Sequence, residues 1–382
     1  MSGRMLRLVG AATVAAQAAL VPVSATAVPP PPQPGQPSVA TLLTDLQRLY
    51  RQAERATETY NATAEQLKKQ RAESDRLRAD LARARLALRG SRAAAGQLAR
   101  QQYQSSSGLS PYLRLLLARD PQHALEEGHV IGQLARERAG TVSRLAGSEK
   151  KADDLAREAR KALDTRLALA RRQQQARDDV RGRLHEVERL LASLSAAQLA
   201  ALAEFEKNGI AEAQKRFLAS GTLSAGTPPT QEGDRAVRYA VRQLGKPYQW
   251  GAEGPAAYDC SGLTAQAWRH AGTPIPRTSQ EQWARLPHVP LNRLRPGDLV
   301  VYFPEATHVA LYLGDGMVVQ APRPGAKVKV SPIAANPVLG AVRPDPGGEP
   351  LRRYTPPKLP AGALDGPDAG LYAAGAPVTS AR

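Results

Sequence analysis

The stretch Tyr258-Asp259-Cys260-Ser261-Gly262-Leu263 contains the only cysteine of this 382-residue chain. Apolar residues recur after it at helical spacing until Gly272, which predicts a helix that begins at Cys260 with Asp259 as its N-cap. The positive end of a helix dipole stabilises a thiolate, so we expect a lowered thiol pKa. A lone cysteine cannot form an internal disulfide and is either an inert buried thiol or a nucleophile. Its position at a helix start favours the nucleophile.

A thiolate nucleophile normally needs a histidine as its base, and the chain has six histidines. Three of them lie before residue 190, in segments with the pattern of long polar helices. His270 lies on the predicted Cys260 helix, roughly 15 Å along it by helical rise, which is too far. His288 lies beside prolines in a loop and remains an unsupported alternative. His308 is the favoured base.

His308 opens an apolar run that is followed by a Gly-Asp-Gly loop and a second apolar run, which predicts a β-hairpin. A three-residue loop places Leu313 opposite Met317 and Gln320 opposite Ala310. Side chains alternate along strands, so His308 and Gln320 share a face as diagonal neighbours. Gln320 is therefore the candidate third member of a triad, which orients the imidazole. From the spacing alone, the better interpretation of Gln320 is an ordinary surface glutamine.

The first 27 residues have the pattern of a secretory signal peptide. Arg4 and Arg7 precede an apolar core at 8–21, and Ala25-Thr26-Ala27 is a small-x-small cleavage site. We expect cleavage there, an exported, secreted or cell-wall-associated protein, and no stable membrane span afterwards. An uncleaved anchor is the alternative, but the apolar core is shorter than the roughly 20 residues that a spanning helix needs.

The formal net charge of +17 indicates a polyanionic partner. For an exported protein the bacterial envelope is the nearest polyanion, and nucleic acid is the other interpretation. No helix-turn-helix pattern, zinc-finger spacing or aromatic-basic strand motif supports nucleic acid, so we expect no nucleic-acid partner. One cysteine and scattered histidines lack metal-ligand spacing, and no phosphate loop is present, so we expect no metal and no cofactor.

Residues 38–218 have the pattern of an α-helical coiled coil. The seam begins with apolar residues at alternating spacings of four and three: Leu42, Leu46, Leu49, Ala53, Ala56 and Tyr60. The pattern breaks at Ser105-Ser106-Ser107-Gly108, and a second long helix is predicted from about Pro121 to Leu218. Two long helices joined by a short break indicate an antiparallel hairpin, although a dimeric coil leaves a similar seam.

The rest of the chain divides by composition. Residues 28–37 form a proline-rich spacer after the signal peptide, and residues 219–231 form a Gly, Ser and Pro linker. Residues 232–343 carry all three tryptophans and are expected to be the compact globular part. Residues 344–382 are rich in Pro, Gly and Ala, so we expect a disordered tail.

Residues 232–343 resemble the NlpC/P60 family, papain-like cysteine peptidases of bacterial cell walls. Five blocks carry the resemblance in order: Gly245-Lys246-Pro247-Tyr248-Gln249-Trp250-Gly251, Asp259-Cys260-Ser261-Gly262-Leu263, Pro276-Arg277-Thr278-Ser279, Leu294-Arg295-Pro296-Gly297-Asp298-Leu299-Val300 and His308-Val309-Ala310-Leu311-Tyr312-Leu313-Gly314. One departure is Ala252, where the family usually has a second glycine. The resemblance implies an α+β fold, with helices packed on an antiparallel sheet.

The resemblance also implies roles. Cys260 is the nucleophile, His308 the base and Gln320 the third polar residue. Tyr248 supports the oxyanion or the substrate, and Asp259 and Ser261 shape the site. The implied substrate is the stem peptide of peptidoglycan, cut between the γ-carboxyl of D-glutamate and the following diamino acid, in wall remodelling or cell separation.

The sequence also leads to one hypothesis about the coiled-coil region and leaves two alternative functions. The coiled-coil region precedes the peptidase domain, and we hypothesise that it regulates or places the enzyme, through anionic wall polymers or a wall-associated regulator. One alternative function is an amidase or endopeptidase of the CHAP type that cuts another wall bond. The other is a non-catalytic scaffold protein that binds the wall and functions through its coiled coil.

Overall fold

The structure is a computed structural model, and it describes residues 38–105, 111–117, 120–223, 226–366 and 368. The predicted signal peptide and proline-rich spacer lie outside these residues. The α+β architecture is confirmed, with a long helical region before an antiparallel sheet domain. None of the helices in the described ranges contains a stretch long and apolar enough to cross a bilayer.

In the described part of the helical region, the structure has two very long helices and two shorter ones: α1 Val39–Ser105, α2 Pro111–Leu116, α3 Pro121–Ala192 and α4 Ala196–Ala219. The two long helices run antiparallel, as the amide of Gln70 donates to the carbonyl of Ala162 (3.3 Å) and the hydroxyls of Ser91 and Ser148 lie 3.0 Å apart. The predicted seam is buried at Leu42, Leu46, Ala53 and Ala56, and Leu67 and Ala84 are buried farther along the same helix.

The prediction of one helix from Pro121 to Leu218 is wrong, because the chain turns between α3 and α4. Ser195 caps α4: its hydroxyl accepts from the Gln198 backbone N–H, and the Gln198 side chain accepts in return. Such a capping box satisfies helix-end donors and makes a new helix start more favourable than continuation. The break lets α4 pack on the globular domain through Ala213 and Phe217.

Between residues 226 and 366, which the structure describes throughout, the globular part contains three helices, two 3-10 turns and six strands: α5 Gln231–Val241, α6 Cys260–Ala271, α7 Ser279–Arg285, turns at Leu291–Arg293 and Ile333–Ala335, β1 His288–Val289, β2 Leu299–Tyr302, β3 His308–Gly314, β4 Met317–Gln320, β5 Lys329–Pro332 and β6 Val338–Val342. The strands form one sheet in the order β1-β6-β2-β3-β4-β5, and all neighbours are antiparallel.

The sheet is covered on both faces. Helices α5 and α6 pack on one face, where Trp268 is fully buried and its indole N–H donates to the carbonyl of Gly297 (3.1 Å). The end of α4 covers the other face, and its Gln214 side chain bonds Gly316 and Ala334 (2.9 and 3.1 Å). The predicted linker at 219–231 therefore joins two elements that are both fixed to the domain.

The predicted hairpin is present, with one difference in register at the turn. Leu311 lies opposite Val319, which keeps His308 and Gln320 on the predicted common face. Met317 pairs with Gly314 rather than with Leu313, because the register shifts between Tyr312 and Gly314. Such a bulge adds a residue to one strand without moving the pairs on its far side.

The prediction of a disordered tail is wrong for residues 344–366. The Arg295 guanidinium donates to the Asp345 carboxylate (3.0 Å), and the Leu351 N–H donates to the Pro229 carbonyl (2.8 Å). Ala363 is buried within the main core. Composition predicted disorder because few apolar residues are present. Backbone and charge-assisted hydrogen bonds to fixed partners hold the segment instead.

Candidate active site

Cys260 is the first residue of α6, as predicted. Asp259 caps the helix, and its Oδ1 accepts from the Gly262 N–H at 2.6 Å. Cys260 is 2% exposed. The short residues Ser261 and Gly262 follow directly, and a methyl group on Gly262 would lie 2.3 Å from the carbonyl oxygen of Ala252. The loop that contains Ala252 thus lies directly against the start of α6, which fixes the position of the cysteine.

His308 and Gln320 form the predicted pair. His308 Nε2 lies 2.6 Å from Gln320 Oε1, and both side chains are buried. An amide oxygen only accepts, so Nε2 carries the ring proton and Nδ1 is the basic nitrogen. His308 Nδ1 has no hydrogen-bond partner within the described residues. Burial lowers the pKa of His308 to about 4, so the imidazole is neutral.

A buried arginine organises the start of α6. The Arg277 guanidinium donates to Asp259 Oδ2 (2.7 Å), Ser261 Oγ (2.8 Å) and Glu253 Oε1 (2.9 Å). This pairing compensates for the burial of the Asp259 carboxylate. Arg277 was not among the predicted site residues, although it lies in the third block of the resemblance.

Helix α1 enters the site and brings two carboxyl groups one helical turn apart. Glu58 Oε1 accepts from Ser261 Oγ (2.7 Å) and from Cys260 Sγ (3.7 Å), and Glu58 Oε2 accepts from the Ser279 N–H (3.1 Å). Glu54 Oε1 lies 3.6 Å from His308 Nδ1. The proposed nucleophile and base are thus each faced by a carboxyl group of the helical region.

Further contacts hold α1 over the site. The Asn61 amide donates to Asp259 Oδ2 (3.1 Å), and Tyr60 packs edge-on against Trp250 with ring centroids 5.0 Å apart. One helical turn before Glu54, the Tyr50 ring lies 4.6 Å from the guanidinium carbon of Arg323. These contacts comprise a hydrogen bond, an aromatic pair and a cation–π contact, and most of the residues that make them are buried.

The thiol pKa differs from the prediction. Burial raises the pKa of Cys260 well above its usual range, and the carboxylates of Glu58, Asp259 and Glu54 raise it further. The predicted lowering by the helix start is wrong in this arrangement, because a dipole effect of about 1 kcal/mol does not offset burial beside carboxyl groups. A neutral thiol and a neutral imidazole therefore occupy the site.

The two carboxyl groups of α1 also have altered acidity. Burial, and then the neighbouring Asp259, raises the pKa of Glu58 to about 7. Burial, and then Glu58, raises the pKa of Glu54 well above its usual range. Both groups therefore hold protons more firmly here than they would in water.

The other predicted residues are placed as follows. Tyr248 lies in the same buried cluster as Cys260, and burial raises the pKa of its phenol well above the ordinary value. His270 bonds the Gln266 carbonyl, and His288 bonds the Trp283 carbonyl (2.9 Å each). In the ranges that the structure describes, no cluster of three or more His, Cys, Asp or Glu is arranged for a metal ion.

Residues 245–340 match the model of the NlpC/P60 family. A probable endopeptidase of Corynebacterium glutamicum is 46% identical over 94 residues, which cover 25% of this chain and 45% of the relative. The peptidoglycan endopeptidase RipB of Mycobacterium tuberculosis is 36% identical over 132 residues, covering 30% of this chain and 55% of the relative. The chain thus spans about half the length of these relatives.

A solved NlpC/p60 domain, from the peptidoglycan hydrolase SagA, is also similar. It is 31% identical, and the alignment covers 29% of this chain and 97% of that domain, with a TM-score of 0.28.

Proposed function

We propose that this chain, whose residues 245–340 belong to the NlpC/P60 family, is an exported cysteine endopeptidase that cuts the stem peptide of peptidoglycan. The observation that supports this most is the geometry of three side chains. Cys260 begins a helix next to the sheet on which His308 is oriented by Gln320. The relatives named as endopeptidases align over this same domain.

The proposed reaction is acyl transfer through a thioester. Nδ1 of His308 takes the proton of the Cys260 thiol, and the thiolate sulfur attacks the carbonyl carbon of the scissile amide. The C–N bond breaks as the imidazolium returns its proton to the leaving amine. Water then attacks the thioester, gives one proton to His308, and releases the carboxylic acid and the thiol. The backbone N–H of Cys260, at the helix start, is a candidate oxyanion donor.

We propose the bond between the γ-carboxyl of D-glutamate and the diamino acid as the one that is cut. Purified stem peptide incubated with the full chain should yield two fragments whose masses sum to the substrate plus one water. One fragment ends in D-glutamate, and the other begins with the diamino acid. Mass spectrometry of the products measures this directly. Fragments separated at any other bond would contradict the assignment.

The two alternatives give different outcomes in the same assay. An enzyme of the CHAP type would release fragments cut at another wall bond. A wall-binding scaffold would leave the stem peptide intact and still sediment with wall material. The buried His308–Gln320 pair favours an enzyme, because a scaffold has no need of an oriented imidazole.

We propose that the helical region at 38–218 regulates the enzyme by covering the site. Glu58 bonds the Cys260 thiol and Glu54 faces His308, so neither group can meet a substrate carbonyl while α1 is docked. Activity would then require α1 to leave. The partners that we propose for the helical region are anionic wall polymers or a wall-associated regulator, and the proposed location is outside the cell, at the wall.

Docking of α1 should weaken as pH rises towards neutrality. The pKa of Glu58 is about 7 when docked against an ordinary 4.5, so the docked state binds more protons between these values. Its contribution to docking is greatest at low pH and is lost as pH rises through about 7. His308 opposes this only below its ordinary pKa of 6.5, because it binds fewer protons when docked.

We therefore expect the hydrolysis rate of the full chain, relative to a variant with α1 displaced (Glu58→Arg), to rise several-fold as pH increases through about 7. The control is Glu54→Gln/Glu58→Gln, which keeps the shape of both side chains without a titrating proton. Its relative rate should stay flat over this range. A wild-type ratio that falls or does not change would contradict the linkage.

A further inference from the structure

Gln320 has a second hydrogen bond that leads away from His308. Its Nε2 donates to the hydroxyl of Ser331 at 2.8 Å, on the neighbouring strand β5. Ser331 is fully buried. The amide of Gln320 is thus held at both ends, with the oxygen towards His308 and the nitrogen towards Ser331.

The Ser331 hydroxyl itself donates to the carboxylate of Asp368. Asp368 lies in the Pro, Gly and Ala-rich tail, outside the family match at 245–340. The Lys329 ammonium holds the carboxylate with an ion pair of 3.0 Å and also bonds the Gly366 carbonyl. A hydrogen-bonded chain therefore runs from the tail to the imidazole, as Asp368–Ser331–Gln320–His308.

We propose that Asp368 and Ser331 are positioning residues that fix the amide orientation of Gln320 and, through it, the tautomer of His308. A carboxylate only accepts hydrogen bonds, so it takes the single proton of the Ser331 hydroxyl. The hydroxyl is then left as an acceptor, and only the NH₂ end of Gln320 can bond it. The amide oxygen must face His308, which keeps the ring proton on Nε2.

The consequence for the proposed reaction is that Nδ1 is left free to accept the Cys260 proton. Without Asp368, the Ser331 hydroxyl can donate to the amide oxygen of Gln320. The amide then turns, presents its NH₂ to Nε2, and favours a proton on Nδ1. That tautomer cannot act as the base towards Cys260. The kinetic part of this inference rests on the proposed function, whereas the tautomer does not.

The test is histidine-selective ¹⁵N NMR of the full chain, with the His308 signal identified by its loss in His308→Ala. All variants carry Glu54→Ala, because Glu54 faces Nδ1 and could select a tautomer by itself. The parent should show a protonated Nε2 and a basic Nδ1. Asp368→Ala and Ser331→Ala should shift the ring towards the Nδ1–H form or a mixture of the two forms.

Two variants separate positioning from structural loss. Asp368→Asn keeps an acceptor for Ser331 but removes the charge opposite Lys329, so it should retain the parent tautomer. Asp365→Ala, at an exposed carboxylate of the same segment, should change nothing. If Asp368→Ala fails to fold, Ser331→Ala still decides the question. An unchanged Nε2–H form in Ser331→Ala, or loss of it in Asp368→Asn, would overturn the proposal.

The kinetic readout is the hydrolysis of stem peptide. We expect kcat to fall about ten- to a hundredfold in Asp368→Ala with KM unchanged, and to recover in Asp368→Asn. A change in KM alone would contradict positioning of the base. The kinetic series also carries Glu58→Arg, so that a docked α1 does not block the site. If this parent hydrolyses nothing, the proposed function fails, while the NMR result still stands or falls by itself.

Discussion

Cys260→Ala should abolish hydrolysis of the stem peptide, with a loss of at least about 10³-fold, because no other group in the chain can form the thioester. The sequence contains no second cysteine that could substitute for it. The measurement is release of peptide fragments by the full chain, followed by mass spectrometry. Wall cleavage that persists at the wild-type rate would eliminate the cysteine mechanism.

The control for this variant is folding. Cys260 is buried at the start of α6, and loss of one sulfur atom leaves a small cavity. We expect a change of about 1 kcal/mol in the free energy of unfolding, with a helical circular dichroism spectrum like that of wild type. Binding to isolated wall material should also persist. A variant that unfolds would make the loss of activity uninformative, and Cys260→Ser then provides the closer isostere.

Glu58→Arg should have the opposite effect and raise hydrolysis by the full chain at least about tenfold. The change removes the bonds that Glu58 makes with Ser261 and the Ser279 N–H. It also places a second guanidinium near Arg277, in a buried pocket. Hydrogen bonds to charged groups contribute about 1.5–3 kcal/mol each, and a loss of about 1.4 kcal/mol of docking free energy is tenfold in the open fraction.

The matched control is Glu73→Arg, at an exposed position of the same helix. It makes the same change of charge away from the site, so its rate should equal that of wild type. Alkylation of Cys260 by iodoacetamide provides a second measurement, since a displaced α1 should speed modification in Glu58→Arg only. Equal rates for wild type and Glu58→Arg in both assays would show that α1 does not limit access.

The positions of the proposed catalytic side chains could be predicted because local patterns encode them. A capping aspartate before an apolar helix face places Cys260, and a short hairpin loop places His308 beside Gln320. Helical periodicity predicted the long helices, although it left open whether they pair within one chain or between two. These features depend on residues that are close in sequence, where spacing determines geometry.

The covering helix could not be predicted in the same way. Glu58 contacts Cys260 across 202 positions of sequence, and a glutamate on a long polar helix has the pattern of a solvated face. The predicted lowering of the Cys260 pKa was wrong for the same reason, because it followed from the local helix start alone. Composition placed Asp368 in a predicted disordered tail. Composition cannot show that this one carboxylate forms an ion pair with Lys329.

The turn at Ser193–Ser195 has a consequence for how strongly α1 must bind. It connects α3 to an α4 that is fixed on the domain, so α1 is tethered beside the groove that it occupies. Tethered groups act at effective concentrations on the order of millimolar or higher. A helix with an intrinsic Kd of about 0.1 mM would therefore still fill the groove most of the time, and dilution would not release it. Severing the peptide backbone at this turn would turn the same contact into a bimolecular one, too weak to persist at micromolar protein.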